Sequence, residues 1–364
     1  MEVKKVKKRI RHKLSPYEIV ARKLRKRVAE SSAGEPLGTE VSIARECGVS
    51  RMTARKSVNA LIAEGLVERR AGIGVFVRPQ DTITRTYRLV VGNILWDAAM
   101  KVASAIRREA QRSGAEIELR DAGGDVESFV HEIESLPEAG VAGAVVVSIH
   151  DPRAVQALKG VSEKGFPLVV VDQDLQAEGV ASVVSDDRHG GELAASVLLS
   201  EAHREVAFLG DFEASTVQAR WEGFRDACIR DGGVEPDRHD IRGVDRLGSW
   251  ESSIRNKVAR LLALGKRPTA FFCSCDAVAR LTMRTLVGHG VKVPDDISLV
   301  GFDDDPIAEW TTPALTTIRQ DYEAIGLAAT KLLTVRIQRP ADPVPPTVVV
   351  PVSLVRRASV RSRA

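Results

Sequence analysis

Apolar positions recur at helical spacing in three successive segments near the start of the chain. The first predicted helix starts at Ser15, the second runs over residues 39–47 and stops at Gly48, and the third runs from Ser50 to about Glu64. A tight glycine turn between two short helices is typical of a helix-turn-helix. The side chains expected to face its core are Ile19, Val20, Leu24, Val28, Val41, Ile43, Ala44, Ala54, Val58, Leu61 and Ile62.

The third helix carries long polar side chains on the face away from its apolar stripe. Met52, Lys56 and Asn59 lie opposite the stripe, with Thr53 and Arg55 on the flanks. Such a helix buries one side and offers hydrogen-bond donors on the other, where a well-made bidentate contact to a base is worth about 1 to 3 kcal/mol of discrimination. A merely solvated helix face is the alternative interpretation.

The glycines that follow belong to a hairpin and not to a phosphate-binding loop. A dinucleotide fingerprint needs three glycines between a strand and a helix, whereas Gly72 and Gly74 lie between two short apolar strands, with Arg69 and Arg70 before them. A hairpin after a recognition helix predicts the wing of a winged helix. The residues expected to contact DNA are Ser50, Arg51, Thr53, Arg55, Lys56, Asn59, Arg69, Arg70, Gly72 and Gly74.

From Tyr87 onward, continuous apolar runs alternate with amphipathic segments. The runs include "RLVVGNIL", "AGAVVVSI", "PLVVVD", "REVAFLG" and "ISLVGFD". Buried strands separated by helices predict parallel sheets covered on both faces, and ligands bind such sheets beyond the carboxyl ends of the strands. The strand ends carry Asn93–Asp97 with Trp96, His150 and Asp151, Asp172–Asp174, Asp211–Thr216, Cys275 and Asp276, and Asp303–Asp305.

Composition and charge separate the two parts. With 44% hydrophobic and 28% charged residues, the 364-residue chain is typical of a globular protein of two or three domains. Residues 1–80 hold 19 Lys and Arg against 8 Asp and Glu, and the rest hold 34 against 41. The first part therefore favours polyanions. The reducing cytoplasm is favoured by the four scattered cysteines and by the charged segment that follows the basic start, where a signal peptide would be apolar. The sequence has no run of about 18 apolar residues, so we expect no membrane span.

The strand ends give no catalytic centre. The sequence has no P-loop lysine, no G-x-S-x-G elbow and no histidine pair at metal spacing, so we expect no enzyme activity, no cofactor and no metal. Three adjacent carboxylates, Asp303–Asp305, cannot all face one ion. Carboxylates, Arg220 and tryptophans together suit a polyol, because charged groups bridge neighbouring hydroxyls and an indole packs on a sugar ring.

Residues 50–77, "SRMTARKSVNALIAEGLVERRAGIGVFV", together with the helices before them, resemble the DNA-binding domain of GntR repressors over about sixty residues. That family often places an arginine early in the second helix, where this chain has Val41. The resemblance implies a DNA-binding winged helix whose base preference differs from the common pattern.

The later segment "VPDDISLVGFDDDPIAEWTTPALTTIRQDYEAIGLAATKLL", with "VSDDRHGGELAASVLL" and "QARWEGFRDA" upstream, is similar to LacI/GalR repressors from about Tyr87 to Arg356. The resemblance implies a two-lobed, type I periplasmic-binding-protein-like effector domain with three crossings between its lobes. Cys275 stands where many members carry a ligand-binding Asn or Asp. The implied effector-binding residues are Trp96, Asp172, Thr216, Arg220, Trp250, Cys275, Asp303, Gln320 and Tyr322.

A GntR-type winged helix joined to a LacI-type sensor resembles the arabinose-responsive repressors. The expected α/β chain has a basic tail (1–14), a winged helix-turn-helix (15–78), a linker (79–86), a two-lobed domain (87–356) and a disordered tail (357–364). The resemblance implies a homodimer that binds operator DNA and a small, sugar-like effector. The alternatives are a periplasmic solute receptor, a sugar-active enzyme and an architectural DNA-binding protein that lacks an effector.

Overall fold

The chain forms two compact units, Met1–Thr84 and Arg85–Ala364. The computed structural model describes residues 15–29, 31, 34–63, 65–70, 72–77, 86–94, 97–241, 249–263 and 267–363. The expected basic tail and nearly all of the expected linker lie outside the described residues. Among the described residues, no helix is both long and apolar enough to cross a lipid bilayer.

The described part of unit 1 contains three helices and a small antiparallel sheet. Its sheet has the order β1-β3-β2, and the hairpin pairs Arg70 with Gly74. Strand β1 was not predicted, because three residues are too few to show an apolar alternation. The elements are α1 (Pro16–Ala29), β1 (Pro36–Gly38), α2 (Glu40–Cys47), α3 (Arg51–Ala63), β2 (Val67–Arg70) and β3 (Gly74–Val77).

The core of unit 1 contains most of the predicted apolar stripe, with two corrections. Ile19 is 55% exposed and Val41 is 48% exposed. The stripe of α1 repeats every four residues from Val20, so Ile19 falls about 100° to its side. Helix α2 is two turns long and buries Ile43 and Ala44, whereas Val41 lies about 200° around the helix from Ile43, at the edge of the buried face.

The second unit contains two six-stranded sheets, each covered by helices. The first sheet has the order β14-β8-β7-β6-β4-β5, and the second has the order β10-β9-β11-β12-β13-β15. All pairs are parallel except β13 with β15. The strands are β4 (Thr86–Val91), β5 (Glu116–Asp121), β6 (Gly143–Val147), β7 (Leu168–Val171), β8 (Ala181–Ser185), β9 (Val206–Gly210), β10 (Asp237–Asp240), β11 (Ala270–Cys273), β12 (Ser298–Asp303), β13 (Thr316–Gln320), β14 (Val348–Val350) and β15 (Val352–Val355).

Each sheet and its helices form one lobe. The described helices of this unit are α4 (Asp97–Arg112), α5 (Val126–Glu134), α6 (Pro152–Glu163), α7 (Asp187–Ser200), α8 (Ser215–Gly232), α9 (Ser249–Ala263), α10 (Asp276–Gly288), α11 (Pro306–Trp310) and α12 (Tyr322–Gln338). Helix α12 packs on α4 and on strands of the first sheet, so it belongs to the first lobe, while α7 packs on α8 and β15 in the second.

Continuous buried runs explain why the apolar pattern identified the central strands. Strand β7 begins at Leu168 and continues through Val169, Val170 and Val171, all of which are buried. Strand β12 is likewise buried along its whole length. Both faces of these strands therefore pack against other elements, as expected for parallel sheets covered by helices.

The backbone passes between the two lobes at three points. Residue 186 separates β8 from α7, residue 321 separates β13 from α12, and Pro351 alone separates β14 from β15. Asp186 accepts a hydrogen bond from the His189 backbone N–H, and Asp321 accepts one from Ala324. The first two crossings therefore coincide with helix N-caps, which fix where each new helix starts.

The C-terminal segment is ordered against the second lobe, which corrects the expectation of a disordered tail from residue 357. Ser359 is fully buried: its hydroxyl accepts a hydrogen bond from the Thr316 N–H at 2.8 Å and donates to the Leu299 carbonyl at 2.6 Å. Arg357 pairs with Asp304 at 2.7 Å. The composition, rich in Arg and Ser, suggested disorder, but these polar groups complete the hydrogen bonding of buried strand ends.

Candidate functional site

The predicted recognition helix presents a polar face to solvent. The Ser50 hydroxyl accepts a hydrogen bond from the Thr53 N–H at 3.1 Å, so it caps α3 as the sequence suggested. Arg51, Met52, Arg55, Lys56 and Asn59 are exposed and Thr53 is half-buried, while Ala54, Val58 and Leu61 are buried on the opposite side. The helix thus has one core face and one face of long side chains.

A groove of about 510 Å³ runs along this polar face. Lys56 lies over the ring of Tyr17, with Nζ 4.2 Å from the ring centroid, which holds the lysine beside the start of α1. The groove is lined by Pro16, Tyr17, Met52, Thr53, Arg55, Lys56 and Asn59. Five of the ten predicted DNA-contacting residues lie on or beside this face of α3, and four of those line the groove.

The wing and the recognition helix are joined by a polar network. Arg69 Nη2 donates to Glu40 Oε1 at 2.6 Å and to Asn59 Oδ1 at 2.8 Å. Arg70 instead pairs with Glu68 at 2.8 Å and lies over the ring of Phe76. The two wing arginines therefore have different surroundings: Arg69 contacts both α2 and α3, and Arg70 stays on the hairpin.

Gly74 occupies a position that another residue fills only with strain. Its φ is +152°, and a Cβ built on it would lie 3.0 Å from the Gly38 carbonyl oxygen on β1. Gly72, at the hairpin tip, has φ +72° but open space around it. Gly74 is thus required by a close approach of two strands, and Gly72 by the turn alone.

In the second unit, the guanidinium of Arg220 is the centre of a buried polar cluster. Arg220 is 5% exposed, and its Nε donates to Asp187 Oδ1 at 2.7 Å. Its Nη1 donates to the Ser274 carbonyl at 2.6 Å and lies 3.9 Å from Asp303 Oδ1. The guanidinium also packs on Phe302, 3.7 Å from the ring centroid. The positive charge is therefore compensated by carboxylates and an aromatic face.

Gln320 joins this cluster to the crossing at residue 321. Its Nε2 donates to Asp303 Oδ1 at 2.6 Å and to the Tyr322 hydroxyl at 3.1 Å, and its Oε1 accepts from the Ser185 hydroxyl. Ser185 ends a strand of the first lobe, whereas Asp303 ends a strand of the second. The network therefore spans both lobes next to two of the crossings.

Burial shifts the ionisation of the carboxylates around Arg220. Desolvation raises the pKa of Asp187 to about 6, although Arg220 acts in the opposite direction. Desolvation also raises the pKa of Asp172 and of Asp303. Asp172 and Asp303 both adopt positive φ, at 68° and 108°. A strained backbone and buried carboxylates whose charged form is disfavoured often occur together at ligand-binding sites.

Two polar residues near this cluster were not among the predicted effector contacts. The His150 Nδ1 and the Gln173 Oε1 are buried without a hydrogen-bond partner among the described residues. Burial, followed by the charge of Arg220, lowers the pKa of His150, which favours the neutral imidazole. Both residues follow a strand of the first sheet, and the position after a strand end was the signal that the sequence offered for them.

The remaining predicted effector residues have different surroundings. Thr216 is buried in the first turn of α8, and Cys275 is the residue before α10, where burial raises the pKa of its thiol. Trp96 and the side chain of Trp250 lie outside the described residues. The structure thus places Asp172, Arg220, Asp303 and Tyr322 close enough to interact electrostatically, and Gln320 donates hydrogen bonds to Asp303 and Tyr322. Their role in effector binding stays a prediction.

A second charged group links the lobes beside this network. Lys101 on α4 pairs with Asp305, and its Nζ lies 4.9 Å from the ring centroid of Tyr322. The Asp305 N–H in turn donates to Asp276 Oδ2 at 2.8 Å. A cavity of about 800 Å³ opens here, lined by Met100, Lys101, Ser104, Arg108, Asp303, Asp304, Pro306, Arg319, Gln320, Asp321, Tyr322, Glu323, Pro351, Val352 and Ser353. Arg220 and Asp172 are not among the residues that line this cavity.

Comparison with known proteins finds a family match in each unit. Residues 16–77 match the family described as bacterial regulatory proteins, gntR family, and residues 195–360 match the periplasmic binding protein-like domain. The chain is 33% identical to the probable HTH-type transcriptional repressor ExuR of Bacillus subtilis over 176 residues, which cover 48% of this chain and 52% of that protein.

Two longer matches extend over both lobes. The HTH-type transcriptional repressor PurR of Vibrio parahaemolyticus is 29% identical over 317 residues, covering 83% of this chain and 92% of PurR. The lac repressor dimer bound to operator and an anti-inducer has a TM-score of 0.66 and 22% identity, covering 78% of this chain and 96% of that chain. The chain is therefore a transcriptional regulator that joins a DNA-binding domain of the gntR family to a periplasmic binding protein-like domain.

Proposed function

We propose that the protein is a repressor whose affinity for operator DNA is set by a small, uncharged, sugar-like effector bound between the lobes of the second unit. The observation that carries this proposal is the buried Arg220, surrounded by carboxylates from strand ends of both lobes. A charged cluster buried at the carboxyl ends of parallel strands is the expected place for a ligand in this class of fold.

The DNA-binding surface is assigned to the exposed face of α3 and to the wing. Arg51, Arg55 and Lys56 supply donors for phosphates and guanine edges, and Arg70 with the glycine turn lies on the hairpin. Ser50 and Thr53 contribute at the start of the helix, next to its positive dipole end. This assignment agrees with the excess of basic residues in the first eighty positions.

The charges in the cleft favour an uncharged effector. Each cation of the cleft has a carboxylate partner. Arg220 pairs with Asp187 and Lys101 with Asp305, and Arg108 and Arg319, which line the same cavity, are also paired with carboxylates. A sugar acid or sugar phosphate entering here meets the carboxylates of Asp172 and Asp303 without gaining a free cation among the described residues. Hydroxyl groups instead both donate to carboxylates and accept from a guanidinium, so a neutral polyol satisfies the cluster.

Control of DNA binding requires only that the effector prefers one arrangement of the lobes. A ligand that contacts both lobes stabilises the closed arrangement, and the resulting population shift changes the affinity for DNA. Couplings of about 1 to 3 kcal/mol change an affinity 5- to 150-fold. We propose that the protein acts as a homodimer on a pseudo-palindromic operator and that binding of the effector releases the protein from the DNA. The effector itself dissociates without any chemical change.

A paired screen tests the function and the effector class together. Thermal unfolding is recorded with arabinose, ribose, glucose and galactose, and with ribose 5-phosphate, glucuronate and galacturonate as charged counterparts. Each stabilising compound is then tested in a mobility-shift assay on the DNA upstream of the gene. We expect a neutral sugar to raise the melting temperature and to weaken the DNA complex. Stabilisation by an acidic sugar alone contradicts the effector class, and a compound that is consumed contradicts binding without turnover.

A further inference from the structure

The hydrogen bond between Arg69 and Asn59 determines which group of Asn59 is free to contact DNA. Arg69 Nη2 lies 2.8 Å from Asn59 Oδ1. A guanidinium carries donors only, so the amide atom that faces it has to be the oxygen. Turning the amide over would place two donors against each other, which fixes its orientation.

Glu40 holds the arginine in this position. Arg69 Nη2 also donates to Glu40 Oε1 at 2.6 Å, and the Glu40 side chain is only 15% exposed. Glu40 is the first residue of α2, where a carboxylate is favoured by the helix dipole. Glu40 thus fixes the guanidinium of Arg69, and Arg69 in turn fixes the orientation of the Asn59 amide. Arg69 is therefore a positioning residue.

The surface that results consists almost entirely of hydrogen-bond donors. The free group of Asn59 is its NH₂, and its neighbours one turn earlier on α3 are Arg55 and Lys56. In the major groove, guanine offers two acceptors, N7 and O6, whereas adenine offers an acceptor beside its N6 amino donor. An adenine amino group approaching the Asn59 oxygen has to share that oxygen with Arg69, which already occupies one of its two lone pairs and places a positive charge beside the incoming donor.

We propose that Asn59, aligned by Arg69, selects guanine in each operator half-site, in place of the adenine that an unconstrained asparagine prefers. This inference rests on the proposed DNA-binding function and adds to it the identity of one base and the residue that sets it. The exposed position of Asn59 and the two contacts of Arg69 carry the proposal.

Selection from a randomised duplex library with the full-length protein tests the proposal, with sequencing of the retained DNA as the readout. Wild type is expected to enrich guanine at one position in each half-site. Asn59→Ala should lose the preference at that position alone, by roughly tenfold, while Asn59→Asp, which presents acceptors only, should change it to cytosine, whose N4 amino group donates. Asn59 is exposed, so neither variant disturbs the core.

A matched pair of wing variants tests the role of Arg69. Arg69→Met and Arg70→Met each remove one positive charge from adjacent residues of β2, and only the first frees the Asn59 amide. Arg69→Met should lower the ratio of guanine to adenine at the Asn59 position severalfold, while Arg70→Met should leave the ratio unchanged and weaken binding to all sequences alike.

Three results overturn the inference while the proposed function stands: adenine at the Asn59-dependent position in wild type, uniform weakening without any change of base preference in Asn59→Ala, or equal base preferences in the two wing variants. If wild type enriches no duplex at all, the proposed DNA-binding function fails together with the inference. The test with Asn59→Asp does not require the wing variants. The assignment of guanine to Asn59 can therefore still be refuted if the Arg69→Met protein folds poorly.

Discussion

Arg220 combines a full positive charge with nearly complete burial. Replacing it by methionine keeps the length of the side chain but leaves Asp187 and Asp303 without their counter-charge. We expect the effector response to disappear, DNA binding without effector to stay within about twofold, and the free energy of unfolding to fall by about 3 kcal/mol at pH 7. Chemical denaturation and mobility shifts with and without the effector measure these changes.

The double variant Arg220→Met/Asp187→Asn is the control for this prediction. It removes both charges of the Arg220–Asp187 pair but leaves Asp303 without its counter-charge, so it should recover part of the stability while the effector response stays absent. A double variant that regains the response, or an Arg220→Met protein that has lost DNA binding although it is folded, contradicts the division of roles between the two units.

His203 gives a second prediction, which concerns pH. The ring is fully buried, its Nε2 donates to the Arg361 carbonyl at 3.1 Å, and desolvation lowers its pKa to about 4. An unfolded histidine takes up a proton near pH 6.5, whereas the folded one stays neutral. The stability that His203 contributes is therefore complete above pH 6.5 and is lost as the pH falls towards 4.

The variant His203→Gln keeps a hydrogen-bonding side chain but does not titrate. At pH 7.5 we expect it to be less stable than wild type by about 1 to 2 kcal/mol. The difference in the free energy of unfolding between wild type and the variant should narrow as the pH is lowered to 5. Only wild type loses stability through residue 203, because all other groups titrate in both proteins. Urea unfolding at several pH values measures the gap, and a gap that stays constant contradicts the prediction.

The sequence indicated some residues of the cluster around Arg220 but not others, and the difference has a physical reason. Arg220, Asp303 and Gln320 were implied by a family resemblance, and the structure joins them in one network. Asp187 and His150 were missed, because a strand end identifies where polar residues gather but not which of them turn inward. That choice depends on loop backbone geometry and on partners far apart in the chain, such as Asp187 with Arg220.

The wing hairpin allows a prediction about a whole element. Gly74→Ala places a Cβ 3.0 Å from the Gly38 carbonyl in addition to the cost of its positive φ, whereas Gly72→Ala meets open space and has only the cost of φ. We expect Gly72→Ala to destabilise unit 1 by about 1 kcal/mol and Gly74→Ala by about 2 to 3 kcal/mol. Gly74→Ala should also weaken DNA binding more strongly.

Circular dichroism melts of the full-length variants, together with mobility shifts, measure both effects. Equal losses in the two variants would show that the contact between β1 and β3 does not limit the hairpin. The comparison is informative because both changes add one methyl group two residues apart in the same turn.

The elements themselves follow closely from apolar periodicity where they are long. Helices α1, α3 and the buried strands of both sheets have strong patterns, and they lie where the patterns predicted them. Strand β1 and the C-terminal segment were missed. Pro36–Gly38 is too short to have a period, and the segment from Arg357 is held by hydrogen bonds to strand ends, which no local pattern encodes.

At the scale of the whole molecule, the pair between Lys101 and Asp305 connects one lobe to the other. Lys101→Met removes this link while retaining an apolar side chain of similar length. The pair is largely buried, and losing about 1 kcal/mol from the closed arrangement lowers effector affinity about fivefold. Titration with the neutral sugar that stabilises wild type measures the affinity.

Arg112→Met is the matched control. Arg112 lies on the same helix, α4, but pairs with Glu109 of that helix, and neither residue is among those that line the cavity. This variant should retain the effector affinity of wild type. Equal loss in both variants indicates a general effect of charge, and no loss in Lys101→Met contradicts a role for the pair in closure.

The arrangement of lobes and crossings was accessible from sequence only through the family resemblance. Alternating strands and helices predict parallel sheets, but they do not say that the chain leaves one sheet, completes another and returns. That order depends on which strands pair, for example β14 beside β8, which lies far earlier in the chain.

The third crossing limits how the lobes can move. Strand β14 is hydrogen-bonded into one sheet and β15 into the other, and Pro351 alone lies between them. One residue spans less than about 4 Å even when fully extended, and the pyrrolidine ring removes most of the freedom of its φ angle. The two lobes can therefore rotate about this crossing, but they cannot separate there, so an effector that acts through this hinge changes the angle between the lobes and not the distance between the two strand ends.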